Sequence, residues 1–84
     1  MIEIFSSPNC HACSHAKVLL EEILITLGEE QINWREVDIL KEIDYAVAMG
    51  ILSTPAIAFN GKLVFTGMPS SKELHTKIMR ILKR

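Results

Sequence analysis

No stretch of this sequence stays apolar for the roughly 20 residues that cross a bilayer, so no membrane-spanning helix is expected. The opening MIEIFSSP has neither a basic segment nor a long apolar one, so no secretory signal is read. The expectation is a chain that starts at Met1 and works in a reducing cytoplasm. An excess of charge is lacking too: nine Lys and Arg against ten Asp and Glu leave a formal net charge of -1. Nucleic acid would need a basic face, and an anionic membrane surface would need the same; neither is an expected partner. Internal repeats and low-complexity segments are absent. Cysteine is scarce, with Cys10 and Cys13 the only two. What is present is apolar: 49% of 84 residues are hydrophobic. That length is near the lower limit for a self-sufficient core, and the composition lets the chain form one without staples.

Hydrophobic spacing gives the organisation. MIEIFS alternates apolar and polar residues as a short strand does. From His11 to Leu27 the residues Ala12, Ala16, Leu19, Leu20, Ile23, Leu24 and Leu27 recur at helical spacing, and Gly28 is the expected stop. Residues 32–39, INWREVDI, read as a second strand. Two strands joined by a helix predict a right-handed βαβ unit with a parallel pair. A shorter helix is expected from Lys41 to Met49, ending near Gly50. PAIAF and KLVFT flank Asn60-Gly61, a hairpin turn whose two positions need positive φ. Gly67 and Pro69 end the last strand. Ser70-Ser71-Lys72-Glu73 has capping-box spacing, which makes Ser70 the N-cap of a final helix. Leu74, Ile78, Ile81 and Leu82 mark its buried stripe. Lys77, Arg80, Lys83 and Arg84 suit its C-terminal end and solvent face. The expected class is α/β, one domain over 1–84 in the order β-α-β-α-β-β-α. Its four-stranded mixed sheet is a parallel pair extended by an antiparallel hairpin, flanked by helices on both faces.

SSPNCHACSHAK holds both cysteines and two of the three histidines. Cys10 falls at the start of the first helix, where free N–H groups and the positive end of the helix dipole favour thiolate over thiol. Cys13 lies one turn deeper, close enough to attack a mixed disulfide on Cys10. Thiol exchange needs such an asymmetric pair. Two other readings stand beside it. The cysteines could be small core residues. They could also bind metal, since Cys10, His11, Cys13 and His15 offer four soft or borderline ligands in six residues. Structural zinc usually draws on two separated pairs, and His75 is isolated. A copper carrier could use the two thiolates alone, but its usual ferredoxin-like order ends on a strand. Covalent haem needs His directly after the second cysteine, and Ser14 is there.

The chain resembles the thioredoxin/glutaredoxin superfamily, and small glutaredoxin-like thioredoxins in particular. The likeness rests on CHACSHAKVLL after the first strand, on STPAIAFNGK, and on the closing helix. It implies a thioredoxin fold and a protein disulfide oxidoreductase in which Cys10 attacks and Cys13 resolves. It implies that Pro55 follows a cis bond and that Thr54, Pro55 and Gly67 meet the substrate backbone. No bound cofactor or metal is implied, because electrons arrive by thiol exchange. The implied partners are disulfide-containing proteins and a reductant, either a thioredoxin-reductase-type donor or glutathione; a monomer is expected. A metal-binding or metal-delivering module using the same Cys10 and Cys13 thiolates is the alternative. Several residues depart from the family pattern. Asn9 stands where thioredoxins carry Trp, and the family's buried acid maps to Ile4. SSPN lacks the basic residue of glutaredoxins, while Thr66, Gly67 and Ser70 stand at their Gly-Gly and Asp. The charges that would hold glutathione's carboxylates and amine are therefore missing. His11, if cationic, would stabilise the thiolate further. His15 and Lys17 read as a solvated face, Trp34 as an edge filler, and Met49 and Met68 as either gap fillers or apolar contact surface.

Overall fold

The computed structural model describes residues 1–28 and 32–82. Its elements are β1 (Ile2–Ser6), α1 (His11–Leu27), β2 (Trp34–Asp38), α2 (Ile43–Ala48), β3 (Ala56–Phe59), β4 (Lys62–Thr66) and α3 (Ser71–Leu82). The strands form one sheet in the order β2-β1-β3-β4. β1 runs parallel to β2 and antiparallel to β3, and β3 and β4 form the hairpin. This is the expected mixed sheet. Asn60 and Gly61 take φ of 52° and 83° in the hairpin turn, as that turn type requires. Among the described residues no helix is long and apolar enough to cross a membrane.

Period-2 alternation sorts the strands between two cores. Ile2 and Ile4 of β1 join Ile57 and Phe59 of β3 beneath α1 and α3, where Leu20, Ile23, Leu24, Leu74 and Ile78 meet them. Phe5, Val37, Ala56 and Ala58 face the other way, toward Tyr45 and Met49 of the α2 segment. Burying a side chain such as Leu20 contributes roughly 1.5–3 kcal/mol. β1 is buried over its whole length, Glu3 and Ser6 included. Its apolar–polar alternation suggests a strand with one wet face. Its central place in a sheet covered on both sides removes that face, and each buried polar residue finds a partner instead. Tyr45 Oη donates to Glu3 Oε1 at 2.6 Å, and Arg35 Nε donates to Glu3 Oε2 at 3.0 Å. Arg35 also lies over the Tyr45 ring, 5.6 Å from its centroid.

Helix ends follow their capping chemistry. α1 stops at Gly28, whose φ of 69° is left-handed and whose N–H donates to the Ile25 carbonyl at 3.0 Å. α3 starts with a reciprocal capping box: Glu73 N–H donates to Ser70 Oγ at 3.1 Å and Ser70 N–H donates to Glu73 Oε1 at 3.0 Å. Hydrogen bonds from Ser70, its backbone N–H first and its side chain second, hold the Glu73 carboxyl below its ordinary pKa. Leu74 and Ile78 are fully buried and Ile81 is half-buried. The expectations for the Leu82 side chain and for Lys83 and Arg84 fall outside the described residues. β2 and α2 are shorter than their hydrophobic patterns suggest. Asp38 closes β2 and organises the turn that follows: its carbonyl accepts from Lys41 N–H and Glu42 N–H, and its Oδ1 accepts from Leu40 N–H. That turn uses the residues which the pattern alone assigns to the two elements.

Candidate active site

β1 and β2 are parallel, so both end at one edge of the sheet, and the chain leaves β1 there at Ser7. Asn9 turns it with a φ of 63°, a left-handed conformation that Asn tolerates better than most residues. Cys10 follows as the N-cap of α1, with extended backbone (φ -97°, ψ 99°). Helix caps are usually oxygens. Here Cys10 Sγ does the work, accepting the Cys13 backbone N–H at 3.1 Å. No acidic residue lies in the first turn of α1 to oppose negative charge on that sulfur. Cys10 and Cys13 are disulfide-bonded, with 5.3 Å between their Cα atoms. The two are unequal in access: Cys10 is half-buried, while Cys13 is only 3% exposed.

The other expected residues gather at the same edge. The Thr54–Pro55 bond is cis, as the resemblance implies. Pro55 is buried, and its carbonyl accepts the Gly67 N–H at 2.8 Å. Gly67 has a φ of 102°. Thr54 Oγ1 lies 2.8 Å from Ser7 Oγ. The turn before β3, the loop before α1 and the end of β4 are thus tied in series at that edge of the sheet. Ile4 is fully buried in the apolar core, so the strand brings no carboxylate from that position. On the same face Glu36 bridges two elements, accepting from Ser6 Oγ at 2.9 Å and pairing with Lys17 Nζ at 3.3 Å. Lys17 therefore lies on a solvated face, as expected, and pairs there with β2.

His11 and His15 are exposed, Trp34 packs at the margin of the α1-side core, and Met49 fills the α2-side core. Met68 is 44% exposed next to Gly67, the contact-surface alternative. Among the described residues no three His, Cys, Asp or Glu side chains converge as a metal site. Sequence reading passed over Ser7, Ser6–Glu36 and the Glu3–Arg35–Tyr45 cluster. An acid and a hydroxyl inside an otherwise apolar strand were the available signals for the last two. Ser7 carried none until the strand register was known.

Comparison with known proteins agrees with this geometry. A thioredoxin domain family model matches residues 1–79. A probable thioredoxin of Methanothermobacter thermautotrophicus is 36% identical over 77 residues, covering 92% of this chain and 89% of that protein. A thioredoxin of Methanocaldococcus jannaschii is 30% identical over 81 residues, covering 96% and 94%. Among solved structures, thioredoxin 1 of Thermosipho africanus superposes with a TM-score of 0.76 at 19% identity, covering 98% of this chain and 93% of its own. At that identity it speaks to the fold.

Proposed function

The chain belongs to the thioredoxin family and is a thiol–disulfide oxidoreductase; we propose that Cys10 is its attacking thiol and Cys13 its resolving one. The observation that carries this is the Cys10 sulfur at the helix N-cap, hydrogen-bonded by the Cys13 N–H and more accessible than Cys13. A thiolate there keeps that hydrogen bond and the favourable end of the helix dipole. It attacks one sulfur of a partner disulfide, the partner's other sulfur leaves as thiolate, and a mixed disulfide forms. Cys13 then loses its proton to solvent or a neighbouring base and attacks Cys10. The partner departs as a second thiolate, reduced by two electrons, and the Cys10–Cys13 bond re-forms.

Thr54, Pro55 and Gly67 dock the substrate, with the Thr54 backbone offering N–H and C=O to an extended chain. The electron donor is of the thioredoxin-reductase type in preference to glutathione. Ser70, at the family's Asp position, is spent in the capping box with Glu73. Ser6, Ser7, Pro8 and Asn9 supply no cation for a carboxylate. We read the chain as one domain over 1–84, monomeric and cytoplasmic. Alkylating the reduced protein with limiting reagent near neutral pH, then mapping the label, tests the assignment: Cys10 should carry most of it, and preferential labelling of Cys13 would reverse the roles.

A further inference from the structure

We propose that the hydroxyls of Ser7 and Thr54 form a latch that holds the Thr54 backbone in register with Cys10, making Ser7 a positioning residue for exchange with protein disulfides; the inference rests on the reading of Cys10 and Thr54 given above. β1 and β3 pair Ile2 with Phe59, Glu3 with Ala58, Ile4 with Ile57, and Phe5 with Ala56. Carried one and two steps further, the same register sets Ser6 opposite Pro55 and Ser7 opposite Thr54. The backbone ladder ends before them. Pro55 has no N–H to give, and its carbonyl accepts from Gly67. Just beyond, side chains take over: Ser7 Oγ and Thr54 Oγ1 lie 2.8 Å apart, partly buried, and either hydroxyl can donate. Among the described residues this is the side-chain hydrogen bond that joins the loop carrying Cys10 to the turn preceding β3.

The chemistry needs such a link. Displacement at sulfur requires the partner disulfide to arrive in line with Cys10 Sγ, and small misplacements of a reacting group cost rate steeply. A small disulfide can orient itself on the sulfur. A protein chain is oriented by its backbone contact at Thr54, so any drift between Thr54 and Cys10 misaligns it. Loss of the latch should therefore be felt by protein substrates and not by small ones.

The test compares Ser7→Ala, Thr54→Val, the double variant, Ser7→Thr and Thr54→Ser. Each is assayed for kcat and KM on insulin disulfides and for its rate with dithionitrobenzoate, a small aromatic disulfide. Each single hydroxyl deletion should lower kcat/KM on insulin by about five- to tenfold, the loss expected of one hydrogen bond. The double variant should be no worse than either single, because both remove the same bond. Ser7→Thr and Thr54→Ser keep a hydroxyl and should retain most activity, which separates the latch from a general loss of fold. The rate of Ser7→Ala with the small disulfide should not change. Unchanged insulin kinetics, or losses that add in the double variant, would overturn the latch and leave the docking reading standing. A parallel fall with the small disulfide would instead show that the pair acts on Cys10 itself, and would overturn the docking reading on which the latch rests.

Discussion

Tyr45→Phe removes one hydroxyl from the cluster that fastens α2 to the sheet. Glu3 has a side chain only 7% exposed. It accepts Tyr45 Oη at 2.6 Å, Arg35 Nε at 3.0 Å and an Arg35 terminal nitrogen at 2.9 Å. Phe keeps the ring packing on Phe5, whose centroid is 5.7 Å from that of Tyr45, so the substitution isolates the hydroxyl. A hydrogen bond to a charged group contributes about 1.5–3 kcal/mol. The bond is only partly buried, and Arg35 remains beside the carboxylate, so the lower end applies: about 1.5 kcal/mol. For a domain of this size that lowers Tm by roughly 6–12 °C. Thermal and urea unfolding of the oxidised protein, followed by circular dichroism, read it directly. The pH dependence gives an independent check. Donation to Glu3, then burial, then the Glu3 charge raise the Tyr45 pKa above its ordinary value. A group raised in the folded state contributes stability that is fully present below its unfolded pKa, about 10, and is lost as pH rises through the folded value. The Phe variant should lack that alkaline component. An unchanged Tm at neutral pH, or an alkaline decline of equal size in both proteins, would refute the reasoning.

Three further outcomes are expected. Ser70→Ala should cost about 1 kcal/mol by removing the α3 cap. The Glu73 pKa is lowered in the fold, so its contribution is present above the unfolded pKa and lost as pH falls through the folded one; acid unfolding of Ser70→Ala should show a smaller loss over that window. Gly61→Ala should cost roughly 1–2 kcal/mol through the backbone alone, because a Cβ there meets nothing within 4 Å but the φ is 83°; urea midpoints measure it. Glutathione should reduce the oxidised protein slowly compared with a thioredoxin-reductase system, and fast saturable glutathione turnover would contradict the reading of Ser70 and SSPN.

What could be read from the sequence was whatever is local. Helical spacing and Gly28 define α1 from His11 to Leu27 because propensity, pattern and cap agree there. Asn60-Gly61 and Ser70 with Glu73 each state a turn or a cap within four residues. The cysteine pair was legible for the same reason: its chemistry depends on three residues and a helix start. Long-range pairings were not. Glu3 with Tyr45, Ser6 with Glu36 and Ser7 with Thr54 join positions 30 to 47 apart in the chain, and only the strand register and the packing of α2 on the sheet bring them together. The even burial of β1 was hidden because alternation does not say whether a second layer covers the polar face. The close of β2 and the start of α2 were missed where Asp38 builds a turn with Leu40, Lys41 and Glu42.

The central claim, that Cys10 attacks and Cys13 resolves, is tested most directly by trapping the intermediate. Reduced Cys13→Ser and Cys10→Ser proteins are mixed with insulin, quenched with acid, and analysed by non-reducing mass spectrometry with peptide mapping. Cys13→Ser should accumulate a covalent complex joined through Cys10, because the thiol that would release it is gone, and Cys10→Ser should accumulate little. A complex that forms through Cys13 in Cys10→Ser, with none in Cys13→Ser, would contradict the account.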